Sequence, residues 1–233
     1  MIVELGHYAL ILALLVALLQ GVLPLIGTIT RNWHWQSLAR PAAVMQFVLV
    51  SLAFAALAYA FQENDFSVRY VAENSNTRLP TMYRFAAVWG GHEGSLLLWL
   101  ELLAVWTVSV AIFSRQMPLA MVARVISVLG LISTGFLLFV LATSNPFERL
   151  FPVPIEGKDL NPLLQDPGLV IHPPMLYMGY VGFSVAFAFA IAALLAGRLD
   201  VAWARWSRPW TLVAWAFLTF GIGLGSWWAY TEL

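Results

Sequence analysis

A histidine stands immediately before two prolines, at His172-Pro173-Pro174. Proline suits the first turn of a helix, because the backbone N–H that it lacks would have no partner there. We therefore expect a helix to begin near Pro173 and to hold His172 at its mouth. An imidazole in that position is a candidate ligand for a metal ion or for haem iron. The alternative is an interfacial histidine bonded to a backbone carbonyl group.

Two adjacent tryptophans follow a glycine-rich stretch near the C-terminal end of the sequence. Trp227 and Trp228 come after Gly221 and Gly225, whose four-residue spacing allows two helices to approach closely. Tryptophans at a helix end are typical of the aromatic belt at a membrane interface. The other interpretation is a wall on which a planar ligand stacks.

A third set of polar residues lies at and within an apolar segment. His92 and Glu93 are consecutive, so they cannot share one face of a helix, and packing of an interfacial loop is the simpler interpretation. Glu101 is deeper, and Gly90 and Gly94 fall within about 20° of it on a helical wheel. We expect this stripe to face protein. Glu101 is then either a proton or ligand site or a protonated acid hydrogen-bonded to a neighbouring helix.

The histidine spacing and the absence of cysteine restrict metal chemistry. The sequence has no cysteine, which excludes disulfides and thiolate ligands from this chain. Its histidines are too far apart in sequence for a local metal-binding motif; they are His7, His34, His92 and His172. A site with several protein ligands is therefore not expected. A single histidine ligand to haem remains open, because haem brings its own four equatorial nitrogens.

The composition predicts that these residues are carried by membrane-spanning helices. Of 233 residues, 61% are hydrophobic and 10% are charged, far from the balance of a soluble domain. The net charge is zero, so the chain has no basic field to bind nucleic acid. We expect an all-α polytopic membrane protein with residues 1–233 in one transmembrane helical domain. Its six predicted segments are Leu5–Ile29, Ala42–Phe61, Ala86–Phe113, Met121–Thr143, Pro174–Gly197 and Pro209–Tyr230.

Arginine placement predicts the orientation. Three short connections hold seven arginines and one acid, whereas two long connections, Gln62–Arg84 and Ser144–Pro173, hold five basic and seven acidic residues. Positively charged short loops stay on the cytoplasmic side. We expect the N-terminus, the long connections and the three motifs above to face the periplasm of a bacterium. The arginines of the short connections are Arg31, Arg40, Arg115, Arg124, Arg198, Arg205 and Arg208.

Several long motifs occur in an order that resembles the CcmF/NrfE family of cytochrome c-type biogenesis proteins. The resemblance extends over the whole chain. The motifs are Gln20-Gly21-Val22-Leu23-Pro24, Trp89-Gly90-Gly91-His92-Glu93-Gly94, Asn161-Pro162-Leu163-Leu164-Gln165-Asp166-Pro167, His172-Pro173-Pro174-Met175-Leu176-Tyr177-Met178-Gly179 and Gly225-Ser226-Trp227-Trp228-Ala229-Tyr230.

The resemblance implies a haem-handling subunit in the bacterial inner membrane. Members receive haem from a periplasmic haem chaperone and help attach it to an apocytochrome c, which a thiol-reducing subunit delivers. They bind haem at a tryptophan-rich segment flanked by two periplasmic histidines, and they hold a haem b through two membrane histidines. His172 matches the first periplasmic histidine, so the resemblance implies that it is an axial ligand. Trp227 and Trp228 match the leading edge of the tryptophan-rich segment.

The chain departs from the family pattern at its C-terminal end. It stops where the tryptophan-rich segment begins, and nothing in it matches the other three histidines. We expect the N-terminal third of such a protein, either a partial sequence or one subunit of a split lyase, and not a complete enzyme by itself. Two alternatives remain: a scaffold for a partner that holds all haem ligands, and a transporter or proton-conducting module centred on Glu101.

Overall fold

The computed structural model describes residues 1–197 and 201–232, and apart from one isolated β-bridge the regular structure there is helical. Six stretches are long and apolar enough to cross a membrane, which confirms the predicted all-α class. Arg198, the one acid of the short connections (Asp200) and the last residue of the predicted domain (Leu233) lie outside the described residues. The helices are α1 (Ile2–Ile29), α2 (Trp33–Ser37), α3 (Ala39–Gln62), α4 (Arg69–Asn74), α5 (Thr81–Ala86), α6 (His92–Phe113), α7 (Leu119–Thr143), α8 (Pro167–Ala196) and α9 (Val201–Glu232), with 3₁₀ turns at Ala87–Trp89 and Pro162–Leu164.

The long helices form a bundle with two different ends. We call the end that carries the N-terminus and the connections 63–91 and 144–166 the loop end; there Glu4 of α1 forms an ion pair with Arg149. We call the opposite end, with the short connections 30–38 and 114–118, the arginine end. Arg40 donates from Nη2 to the carbonyl oxygen of Ser114 there, at 3.3 Å, and joins these two connections.

The third predicted segment is interrupted, so one continuous helix over Ala86–Phe113 is wrong. The chain leaves a 3₁₀ turn after Trp89, and Gly91 is extended, with φ −128° and ψ −179°, before α6 begins at His92. Two successive glycines favour this break, because glycine is a poor helix former. Gly90 therefore precedes the helix and does not belong to the predicted face of Glu101.

The fifth segment begins earlier than the His-Pro-Pro motif predicts. The Asp166 carboxylate accepts a hydrogen bond from Gly168 N at 2.6 Å, and Pro167 occupies the first helical position. This cap satisfies a backbone donor that would otherwise have no partner, so the helix starts there. Pro173 lies inside α8. The expectation that His172 stands at the helix mouth is wrong, because it lies in the second turn.

The last segment begins at Val201, whereas the apolar pattern predicts a start at Pro209. The residues before Pro209 include two arginines, which lower the local hydropathy without opposing a helix. Such side chains bury their aliphatic stems and extend the charge toward water. Helix α9 therefore continues past the apolar stretch at the arginine end.

Close approach of helix backbones defines two interfaces of the bundle. A Cβ on Gly130 of α7 would lie 2.8 Å from the backbone nitrogen of Gly21 in α1. A Cβ on Gly221 of α9 would lie 2.6 Å from the Cα of Leu176 in α8. The close packing expected at Gly221 is therefore present, and it joins α8 to α9.

The two long connections bind each other through backbone hydrogen bonds. Leu150 donates to the carbonyl oxygen of Ser67 at 2.8 Å, and Lys158 donates to that of Ala72 at 2.7 Å. These bonds combine the two connections into one layer over the loop end, which we call the loop layer. The layer contacts the turn before α6, which carries His92 and Glu93, through Tyr70.

Candidate functional site

Helices α8 and α9 bring His172 and Trp228 together at the loop end. Their ring centroids lie 5.9 Å apart, with 45° between the planes. The imidazole Nδ1 lies 2.9 Å from the carbonyl oxygen of Gly221. A Cβ on Gly225 would lie 2.5 Å from His172 Cε1, so only glycine leaves room for the ring. The glycine pair predicted to pack two helices thus also forms the gap that holds the imidazole.

The hydrogen bond to Gly221 fixes which nitrogen of His172 carries the proton. A carbonyl oxygen can only accept, so Nδ1 donates. In the neutral imidazole, Nε2 then keeps its lone pair. Nε2 makes no hydrogen bond to any residue that the structure describes. A histidine whose second nitrogen donates to a carbonyl group is the arrangement that orients a metal ligand and raises its basicity.

The two tryptophans have different surroundings. Trp228 packs against α8, where a Cβ on Gly168 would lie 2.5 Å from its Cγ. Its indole Nε1 is buried and has no hydrogen-bond partner among the described residues. Trp227 is 54% exposed. The structure therefore places Trp228 beside His172, and leaves Trp227 on an open surface of α9.

His92 and Glu93 lie at the start of α6, at the same end of the bundle. His92 is exposed, and its Nε2 lies 3.0 Å from Ser144 Oγ, which ties α6 to the end of α7. Glu93 is half-buried in the first turn. These contacts agree with the simpler interpretation, in which His92 packs an interfacial turn.

Tyr70 of the loop layer holds the turn that precedes His92. Its hydroxyl accepts from Gly91 N at 2.9 Å and donates to the carbonyl oxygen of Val88 at 3.1 Å. Burial raises the pKa of the phenol well above its usual value, so the hydroxyl keeps its proton and its donor role. The side chain also fills the space that a Cβ on Gly94 would need.

Glu101 faces α3, in agreement with the expectation that it faces protein. Ser51 Oγ donates to Glu101 Oε1 at 2.8 Å. Glu101 Oε2 is buried and has no partner among the described residues. This is the hydrogen bond to a neighbouring helix that one of the two interpretations of Glu101 requires.

Sequence reasoning missed three residues that position the candidate site. Asp166 caps the helix that carries His172, and the pair Asp166-Pro167 is a recognisable N-cap signal that could have revealed it. Tyr70 and Ser51 act on motifs far away in sequence. No local pattern marks either residue, because each forms its hydrogen bond with a residue at or near α6, which follows later in the sequence.

Comparison with known proteins identifies the family. The sequence model of the family described as "Cytochrome C assembly protein" matches residues 89–233, more than half of the chain. The chain belongs to the cytochrome c assembly protein family. This confirms the family resemblance, and it includes both His172 and the tryptophan pair in the matched region.

Relatives within the cytochrome c assembly family align with the whole chain. The cytochrome c-type biogenesis protein CcmF of Pseudomonas aeruginosa is 68% identical and that of Escherichia coli 61% identical, each over 100% of this chain and 36% of its own length. NrfE of Haemophilus influenzae is 47% identical, over 100% of this chain and 37% of its own. The chain thus spans about a third of the length of these relatives.

A solved structure of the cytochrome c haem lyase CcmF has the same fold. It superposes with a TM-score of 0.86 at 31% sequence identity, and the match covers 99% of this chain and 36% of that one. The six-helix arrangement described above is therefore an arrangement found in a cytochrome c assembly protein.

Proposed function

We propose that this chain forms part of the haem-handling site of a cytochrome c haem lyase, with His172 as one axial ligand of haem iron. The observation that carries the proposal is the hydrogen bond from His172 Nδ1 to the Gly221 carbonyl oxygen, at 2.9 Å. It leaves Nε2, the nitrogen with the lone pair, free to bind iron. Haem is the cargo, and the thiols that accept it belong to an apocytochrome c.

The surroundings of His172 fit a planar macrocycle with polar substituents. The indole of Trp228 lies beside the imidazole and carries a buried N–H without a partner in the described chain, which a ligand oxygen can accept. Trp227 is consecutive with Trp228, so it lies on another face of α9, where it is exposed. Trp228 orients the ligand and excludes water, while His172 holds its metal.

The orientation of the chain follows from its charges. The short connections at the arginine end carry arginine without acids in their described part, which favours the cytoplasmic side. The loop end, with His172 and Trp228, then faces the periplasm across a bacterial inner membrane. On that side the chain meets the periplasmic haem chaperone, the apocytochrome c and its thiol-reducing partner.

A complete lyase needs polypeptide beyond this chain. The relatives are about three times as long, and the proposal assigns to their further length the second periplasmic histidine, the rest of the tryptophan-rich segment and the membrane haem b. The present chain contributes one axial ligand and the first aromatic residues.

Replacement of His172 in the intact membrane assembly tests the proposal. We expect His172→Gly to lower both the haem retained per purified assembly and the yield of holocytochrome c by about tenfold or more, with unchanged membrane abundance. Added imidazole enters the space of the missing ring, supplies the ligand and restores haem absorbance. The matched control is His92→Gly, which removes an imidazole at the same end of the bundle and retains haem.

Two results would overturn the proposal. Full haem retention and holocytochrome yield in His172→Gly would support the scaffold alternative, in which a partner holds all the haem ligands. A loss that imidazole does not restore, equal in His172→Gly and His92→Gly, would indicate a structural role for both histidines.

A further inference from the structure

A cavity of about 570 Å³ lies at the arginine end, between α6, α8 and α9. Aromatic side chains form much of its wall, including those of Trp106, Trp210 and Phe217. Gln116 and Arg205 line the part near the connection 114–118, and Ser109 adds a hydroxyl group within α6. The cavity is thus amphipathic along its length, and neither His172 nor Trp228 lines it.

The dimensions of the cavity match one leaflet of a bilayer. Along α9 the lining extends from Arg205 to Phe217, which at a rise of 1.5 Å per residue is about 18 Å. The hydrocarbon half of a bilayer is about 15 Å thick. The lining is therefore long enough along α9 to accommodate one extended acyl chain.

The charge at the polar mouth is positive, and no acidic side chain among the described residues forms an ion pair with it. The ion pairs of the described residues all lie at the loop end, and Arg205 takes part in none of them. The connections 30–38 and 114–118 contain arginines but no acid. An arginine at the membrane surface, above an apolar cavity between helices, complements an anionic lipid headgroup.

We propose that this cavity binds one anionic phospholipid. Its phosphate pairs with Arg205, and an acyl chain lies along Trp210 and Phe217 toward the middle of the membrane. The site lies in the membrane leaflet opposite to the loop end. This lipid site does not depend on the haem function proposed above. Its specificity resides in the headgroup charge, because the apolar part accepts any acyl chain.

Native mass spectrometry of the intact assembly containing this chain, delipidated and titrated with phosphatidylglycerol or phosphatidylcholine, tests the site. We expect phosphatidylglycerol to be retained at least about fivefold more strongly, since one arginine near a surface accounts for a factor of this size. Arg205→Gln should remove that preference, and Arg205→Lys should keep most of it. The matched control is Arg208→Gln, one turn away on α9 and outside the lining, which should leave the preference unchanged.

A second variant tests the cavity apart from the charge. Val213 lines the apolar part, and Val213→Trp fills it, so retention of both lipids should fall while thermal unfolding stays unchanged. Equal retention of the two lipids by the parent protein would overturn the proposal in favour of nonspecific boundary lipid. Equal effects of Arg205→Gln and Arg208→Gln would overturn it in favour of a diffuse charge effect. Undiminished binding to Val213→Trp would place the lipid elsewhere.

Discussion

The imidazole of His172, carried by α8, donates to the carbonyl oxygen of Gly221 in α9 at 2.9 Å. A side chain of one helix is thereby oriented by the backbone of another. A movement of about 1 Å between the two helices lengthens the bond beyond the range in which it holds the ring. The separation of α8 and α9 is therefore part of the candidate ligand site.

Gly225→Ala is expected to displace His172, because the added Cβ would lie 2.5 Å from Cε1. Haem retention by the intact assembly should fall by about tenfold, in proportion to the loss of ligand orientation. The matched control is Gly223→Ala on the same helix, where an added Cβ meets nothing within 4 Å. Gly223→Ala should retain haem and stabilise α9 by about 1 kcal/mol. Equal haem retention in the two variants would contradict the prediction.

Tyr70→Phe is expected to loosen the turn before α6. The substitution leaves Gly91 N and the Val88 carbonyl oxygen without their partner, at a cost of about 1–3 kcal/mol. Amide hydrogen exchange should accelerate at Gly91, and the thermal unfolding midpoint should fall. Tyr83→Phe serves as the control, since the Tyr83 hydroxyl makes no hydrogen bond to the described residues. Unaltered protection at Gly91 would show that the turn does not depend on Tyr70.

Glu101→Gln distinguishes a proton site from a structural acid. Glutamine keeps an oxygen that can accept from Ser51, which donates to Glu101 Oε1 at 2.8 Å. We expect normal membrane abundance and holocytochrome yield, whereas Ser51→Ala should cost about 0.6 kcal/mol. A proton-conducting module predicts the opposite: loss of proton flux in proteoliposomes containing Glu101→Gln, with haem binding intact. That result would establish the transporter alternative.

Acid should weaken the loop layer at Glu156. Its exposed carboxylate accepts from Thr77 Oγ1 at 2.6 Å and Thr77 N at 3.0 Å, and these bonds lower its pKa below the usual 4.5. A depressed folded-state pKa contributes stability above the unfolded value and loses it as the pH falls through the folded value. The protection of amides around Thr77, expressed relative to the intrinsic exchange rate at each pH, should therefore fall below about pH 4.5, and Glu156→Gln should remove this pH dependence. An identical pH profile in Glu156→Gln would contradict the assignment.

The apolar pattern predicts the six membrane-crossing stretches, because each is long enough to be recognised without knowledge of its neighbours. It predicts helix starts less well. The sequence predicts a helix start near Pro173 and an apolar segment beginning at Pro209, yet both prolines lie inside helices. In the first case the cap at Asp166 starts the helix before the two prolines. In the second case the arginines between Val201 and Pro209 lower the local hydropathy, although the helix continues through them.

The candidate site was only partly accessible to sequence reasoning. His172 and Trp228 could be selected by residue type, and their common end of the bundle follows from the predicted topology. Their direct contact, and the role of the Gly221 carbonyl group, depend on how closely α8 and α9 pack. That distance is set by glycines whose effect is visible only when both helices are in place.

The loop layer also determines the order in which this protein can fold. Hydrogen bonds and ion pairs join residues 79 to 84 positions apart, as in Arg69 with Glu148 and Arg149 with Asp65. Contacts of such separation form late, because the intervening chain must first be restrained. Here the intervening chain is α6 and α7. During synthesis, α6 and α7 must therefore be made before the second long connection can bind the first. Helix α8 follows the second connection in the chain.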